Sequence, residues 1–245
     1  MAVTSQYQAS EIKVLEGLEP VRKRPGMYIG STDGRGLHHL AKEIMDNAVD
    51  EALAGFGKTI QLFRTPADDV YEGAEAITVV DNGRGIPVDI HKQSGVSALE
   101  VVMTKLHAGG KFEETAYQAS GGLHGVGAAA VNALSIKMVV AVKRDEKYYL
   151  QEYSIGVPKA KVKEISESKF VELFPDQSKK LLKYKTGTLV YFVPDKSIFS
   201  TTKFSRRNII DIIRDRAYLM AGLYFEFHDV VDVAPIEGAK IVPLQ

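Results

Sequence analysis

The stretch Glu43-Ile44-Met45-Asp46-Asn47-Ala48-Val49-Asp50-Glu51 constrains this chain more than any other. It lies inside Gly36 to Ala54, where Leu37, Leu40, Ala41, Ile44, Ala48 and Leu53 recur at helical spacing and Gly55 and Gly57 follow as stop signals. A helix of this kind must bury its apolar side against a sheet or another helix. Its polar side carries Glu43, Asn47, Asp50 and Glu51 at i, i+4, i+7 and i+8, along one stripe. A stripe that is mostly like-charged either faces open water or lines a site that needs negative charge.

The rest of the chain supplies a sheet for that helix. Thr59 to Arg64 and Ala76 to Val80 read as strands joined by the acidic, turn-rich Pro66 to Gly73. Val96 to Leu106 reads as a second helix and Ala128 to Leu134 as a third, alanine-rich one. Ile136 to Lys143, Lys147 to Ile155 and Thr188 to Val193 read as strands of one antiparallel set. Between the last two, Pro158 to Lys185 is rich in lysine and glutamate and reads as a surface excursion with a short helix around Ser168 to Phe174. Ser205 caps a long helix through Ala221, with Ile209, Ile212, Ile213, Ala217 and Met220 inward, and Leu223 to Val231 alternates as a strand. The pattern is α+β, without an internal repeat.

Charge and composition exclude several classes. Lysine plus arginine, at 31, equals aspartate plus glutamate, at 31, which leaves no bulk electrostatic footprint for nucleic acid. The absence of cysteine removes disulfides, thiolate zinc sites and cysteine nucleophiles. Met1 to Ser10 lacks the basic and apolar regions of a signal peptide, and no apolar run approaches bilayer length. These features predict a soluble, cytoplasmic protein with no membrane partner.

Two glycine-punctuated stretches are candidates for ligand contact. Ala76 to Val80 runs into Asp81-Asn82-Gly83-Arg84-Gly85-Ile86-Pro87, a carboxylate at a strand end followed by glycines that let a backbone approach a flat ligand. Taken alone, this is a plain Asn-Gly turn. Ser120-Gly121-Gly122-Leu123-His124-Gly125-Val126-Gly127 opens onto the third helix and forms a nest of backbone N–H groups suited to an anion. Gly125 to Ala130 also fits G-x-G-x-x-A, but Tyr117 to Ser120 ahead of it is no apolar strand, so a dinucleotide reading has weak support. His107 to Gln118 is long and irregular, like a lid. Ile12 to Leu18 reads as a short helix and Glu19 to Gly30 as a basic loop, whose Arg22, Lys23 and Arg24 suit solvent better than phosphate. The adjacent His38 and His39 read as surface or capping residues.

In order, Glu43-x-x-x-Asn47, Asp81-x-Gly83-x-Gly85, Gly121 to Gly127 and a late-strand Thr188 resemble the Bergerat-fold (GHKL) ATPases. Gly17 to Gly30, Asp46 to Gly55 and Leu106 to Phe112 narrow the likeness to the amino-terminal ATPase domain of bacterial type IIA topoisomerase B subunits, over about residues 10 to 230. Gyrase and topoisomerase IV share these motifs; Glu19-Pro20 and Tyr117-Gln118 lean towards topoisomerase IV. MutL-like and Hsp-type members lack the Arg22 to Gly30 and Asp46 to Gly55 patterns.

The resemblance implies a mixed, mostly antiparallel sheet with helices on one face, and ATP with Mg²⁺ bound beneath a flexible lid. Glu43 would be the general base, Asn47 the Mg²⁺ ligand and Asp81 the acceptor for the adenine amino group, supported by Thr188. Arg84, Gly85, Ile86 and Pro87 would line the adenine pocket. Gly121, Gly122, Leu123, His124, Gly125, Val126 and Gly127 would cradle the phosphates, with Lys111 and Tyr117 on the lid. Asp50 and Glu51 would brace the site by pairing with an arginine such as Arg84 or Arg144.

Residues 1–15 would be an arm crossing to a second subunit, with Tyr7 and Ile12 as contacts in trans. Residues 16–232 would be the ATPase body, and 233–245 a tail leading to a further domain. Implied partners are a homodimer closed by ATP, a topoisomerase A subunit in a heterotetramer and, weakly, double-stranded DNA. Without the further domain, slow hydrolysis and weak dimerisation are expected.

Overall fold

The computed structural model describes residues 15–108 and 125–231. The arm with Tyr7 and Ile12, the lid residues Lys111, Tyr117 and Gln118, Gly121 to His124 of the nest and the 233–245 tail lie outside them; of the expected Ile12 to Leu18 helix, 12–14 also lies outside, and 15–18 is a turn rather than a helix. Elements in chain order are α1 (Glu19–Lys23), α2 (Gly26–Ile29), α3 (Gly34–Leu53), β1 (Thr59–Pro66), β2 (Glu75–Asp81), α4 (Ala98–Thr104) and α5 (Gly127–Ala133). They continue with β3 (Ser135–Arg144), β4 (Lys147–Ser154), β5 (Val157–Pro158), β6 (Lys163–Ile165), α6 (Glu167–Leu173), α7 (Ser178–Leu181), β7 (Gly187–Pro194), α8 (Arg206–Leu219) and β8 (Tyr224–Asp229).

The strands form one mixed sheet in the order β5-β4-β3-β7-β2-β1-β8, with β6 also on β4; among the described residues only β1 and β8 pair in parallel. Successive strand residues point to opposite faces. Ile77, Val79, Met138, Val140, Val142, Val190 and Phe192 therefore join the main core with α3, α5 and α8. Val80, Val139, Ala141 and Leu189 enter a second core on the reverse face, with Phe170, Phe174 and Leu181. The long helices lie on one face, as the fold class requires, but the 158–185 excursion is no loose surface segment. Its short helices α6 and α7 cover part of the other face. Phe170 is fully buried and stacks on Tyr148 with centroids 4.9 Å apart. Phe170→Ala is expected to destabilise the domain by about 3–5 kcal/mol in denaturant titrations, an effect no surface loop would give.

Helix α3 begins where Asp33 accepts a hydrogen bond from the Arg35 N–H at 2.9 Å. The contacts with Ser31 and Arg35 hold the Asp33 carboxyl well below its usual range. Leu37, Leu40, Ala41 and Met45 are fully buried. The adjoining α5 presents Ala128, Ala129 and Ala130 to the same core, and their small side chains allow close packing of the two helices.

Several expected surface groups turn out to be structural. Glu19 to Gly30 holds two short helices rather than a loop. Arg22 there binds the Ala133 carbonyl at the end of α5 and the Asp195 carboxylate, both at 2.7 Å. His38 is buried rather than on the surface: Nδ1 meets the Gly34 carbonyl, and Nε2 accepts from the Ser205 N–H at 2.8 Å. On α8, Ile209 is buried as expected, but Ala217 is exposed.

Candidate functional site

Helix α3 touches both glycine-punctuated turns from one side. Near its middle, the Glu43 carboxylate lies 3.0 Å from Nε2 of His39, one turn earlier, and is only partly exposed. It packs against the Gly127 backbone so closely that a methyl group there would come 2.0 Å from Glu43 Oε2. Position 127 opens α5 and must be small for the carboxylate to hold this place. Asn47 is half-buried one helical turn further on. Asp50, one turn beyond Asn47, has no exposed surface.

At the end of α3, Glu51 grips the second turn. Its carboxylate accepts from the Arg84 backbone N–H at 2.9 Å, from Arg84 Nε at 2.8 Å and from Nη2 at 3.0 Å. The Arg84 guanidinium also lies over the Phe56 ring, 3.8 Å from its centroid. Arg84 is thus Glu51's partner among the two arginines the sequence offered; Arg144 instead donates to the Gly85 carbonyl at 3.3 Å. Gly83 is required because a Cβ would meet the Glu51 side chain at 2.3 Å, and Gly85 has φ +76°. Of the other residues expected to line the pocket, Ile86 is half-buried and Pro87 exposed.

Asp81 ends β2, directly across from Thr188 on β7, and its Oδ1 accepts from the Gly83 N–H at 2.9 Å. Burial pushes its carboxyl up to about 7. The Gly83 N–H opposes the rise, the Glu51 charge adds to it, and the Thr188 N–H also favours the ionised form. A carboxyl poised near neutrality at the end of a central strand is a recurring mark of functional sites.

Sequence reasoning missed three residues here. His39, read as a surface group, contacts Glu43; its i, i+4 spacing from Glu43 was the available signal. Gly187 lies under the floor, where a Cβ would meet the Asp81 carbonyl oxygen at 2.3 Å. Asn82 accepts from the Lys58 and Thr59 N–H groups, both at 2.8 Å, and so ties the start of β1 to the Asp81 turn. Asp46, inside the acidic run, faces away from the stripe and is held by Arg216 of α8 at 2.8 and 3.1 Å and by Lys42.

A mixed, mostly antiparallel sheet with its long helices on one face, a helix carrying the Glu43–Asn47 pair and a glycine turn after a strand-end Asp81 define an ATPase of the Bergerat class. The chain belongs to the family described as histidine kinase-, DNA gyrase B- and HSP90-like ATPases, whose pattern matches residues 32–148. Within it, the chain is similar to the B subunits of gyrase and topoisomerase IV. It is 50% identical over 227 residues to the DNA gyrase B subunit from Thermotoga maritima, covering 93% of this chain and 32% of that protein. It is 46% identical over 241 residues to the DNA topoisomerase 4 B subunit from Bartonella bacilliformis, covering 98% of this chain and 32% of that protein. To the corresponding topoisomerase 4 protein from Caulobacter vibrioides it is 49% identical over 224 residues, covering 91% and 29%. The chain thus spans about a third of the length of these relatives. Among the described residues, no helix is long and apolar enough to cross a membrane.

Proposed function

We propose that this chain binds and hydrolyses ATP as the nucleotide-driven part of a type IIA topoisomerase B subunit, acting in the cytoplasm. One observation carries the reading: a single helix contacts both glycine turns, through Glu43 at Gly127 and through Glu51 at Gly83 and Arg84. Glu43 and Glu51 are two turns apart, about 12 Å along the axis. A nucleoside triphosphate laid alongside would put its base at Asp81 and its terminal phosphate at Glu43.

In this reading Asp81 accepts from the adenine amino group, and Gly83 and Gly85 leave room for the ring. The Gly121 to Gly127 nest donates N–H groups to the phosphates, with Lys111 and Tyr117 contributing from the lid. Phosphoryl transfer asks mainly for positioning and charge neutralisation. Glu43, steadied by His39, orients a water on the terminal phosphate and takes its proton. The donors available for a metal are oxygens, the Asn47 carboxamide above all, and this suits Mg²⁺, which takes few protein ligands and fills its shell with phosphate and water. Among the described residues no cluster of three His, Cys, Asp or Glu side chains competes for such an ion. When bound, Mg²⁺ would neutralise phosphate charge.

ATP-driven pairing of two copies through the residue 1–15 arm, a topoisomerase A subunit and transported duplex DNA complete the proposal. Relatives bearing the gyrase and topoisomerase IV names match at 46–50% identity, so the proposal takes in both supercoiling and decatenation. The test is calorimetric titration of the chain with Mg-ATP and with NAD, followed by phosphate release. Tighter binding of ATP with slow turnover is expected; preference for NAD would overturn the reading.

Gly127→Ala probes the geometry more finely. The added methyl meets the mobile end of Glu43 rather than backbone, so the fold should survive. Displacing the carboxylate should lower kcat at least about tenfold, since an ångström of misplacement can cost on the order of 10²-fold. Unchanged turnover would remove Glu43 from the reaction.

A further inference from the structure

The 158–185 excursion carries eight lysines against four acidic residues, a net charge of +4 in a chain whose net charge is zero. Each of its acids is engaged: Glu164 by Lys147, Glu167 by the Tyr148 hydroxyl, Glu172 by Lys169 and Asp176 by Lys179. Lys180, by contrast, is spent on the buried Glu226 of β8. Lys159, Lys161 and Lys163 are exposed and make no ion pair among the described residues. All three line one open groove with Leu150 and Glu152 along the edge of β4. The segment is fixed at both ends, by the Lys159 N–H on the Glu152 carbonyl at 2.8 Å and by the pairing of Lys163 with Leu150. Three ammonium groups thus face outward from an anchored edge over a single partly exposed carboxylate.

We propose that Lys159, Lys161 and Lys163 form a contact surface for the phosphodiester backbone of duplex DNA. The assignment of DNA rests on the function proposed above; the cationic surface itself does not. Ammonium groups are compact, strongly hydrated point charges that neutralise phosphates and release counterions without reading sequence. A docking site for a protein would be expected to centre on aromatic or other apolar anchors and to be depleted in lysine, and this row has no such anchor. The surface lies on the edge of the sheet, built from β4 and the excursion, and shares no residue with the nucleotide site.

The test compares the chain with a Lys159→Gln, Lys161→Gln, Lys163→Gln triple variant. Anisotropy of a short labelled duplex is followed across a salt series, and Mg-ATP binding is measured on the same samples. Loss of three phosphate contacts should reduce the slope of log affinity against log salt by about 2.7 and weaken binding roughly ten- to a hundredfold. ATP affinity should stay unchanged, because the exposed side chains support neither the core nor the site. An unaltered salt slope in the variant would overturn the proposal. So would failure of the parent chain to bind duplex at low salt, or displacement of the duplex by polyglutamate at equal ionic strength, which would point to an acidic protein partner instead. Loss of ATP binding by the parent with DNA binding intact would sink the proposed function while leaving the lysine surface standing.

Discussion

Glu43→Gln should abolish most ATP turnover while leaving ATP binding nearly intact. The substitution keeps shape and hydrogen-bonding capacity beside His39 and Gly127 but removes the carboxylate proposed to take a proton from water. General-base catalysis contributes on the order of 10²–10⁴-fold, so kcat should fall within that range with little change in Kd. Phosphate release under saturating Mg-ATP, paired with calorimetry, measures both quantities. A protein that only switches conformation on binding ATP has no hydrolysis to lose. Turnover within a few-fold of the parent would therefore assign the chain to that class, or the base to another residue.

Asp81→Asn should move stability and binding in opposite directions. The folded carboxyl titrates at about 7 against 3.8 for the ordinary group, chiefly because burial disfavours its charge. A carboxyl raised in this way favours the folded state fully below pH ~4. That contribution is lost as pH climbs to about 7, so above pH 7 the empty protein carries a cost on the order of 2–4 kcal/mol. Asparagine removes the charge and still accepts from the Gly83 N–H. The variant should therefore be more stable than the parent in denaturant at pH 8, with the gap closing towards pH 4. Adenine recognition should suffer, because the side chain then offers an N–H where an acceptor is needed; a lost hydrogen bond to a charged group costs about 1.5–3 kcal/mol, or roughly ten- to a hundredfold in Kd. For the parent, ATP affinity should decline as pH falls through 7 and the carboxyl protonates. A variant both less stable and unchanged in ATP affinity would make Asp81 merely structural.

The two positions differ in what marks them along the chain. Glu43 was legible from spacing, because a helix repeats every 3.6 residues and any four-residue step shares a face. Its contact with His39 follows the same rule, although the adjacent histidines read as surface or capping residues. Asp81 was legible only as the end of a strand beside glycines. Its raised pKa comes chiefly from burial, with the Glu51 charge of α3 adding to it, and no local pattern shows either.

The 158–185 excursion was misread for a physical reason. Helices α6 and α7 span only 7 and 4 residues, too short to develop a clear periodicity among so many lysines. The signal lay in the strands instead. Ala76 to Val80, Met138 to Val142 and Leu189 to Val193 run almost without polar alternation, as strands do when both faces are covered.

By itself, the sequence determined the elements and the glycine turns, because dihedral limits, side-chain period and capping act over a few residues. It also determined the family, because those turns recur in one order along the chain. Only the tertiary structure decided which charges meet. Glu51 takes Arg84, 33 residues away, Asp46 takes Arg216, 170 away, and Arg22 takes Asp195, 173 away. An ion pair between such distant positions is set by how the helices pack on the sheet, and packing is a property of the whole core rather than of any stretch within it.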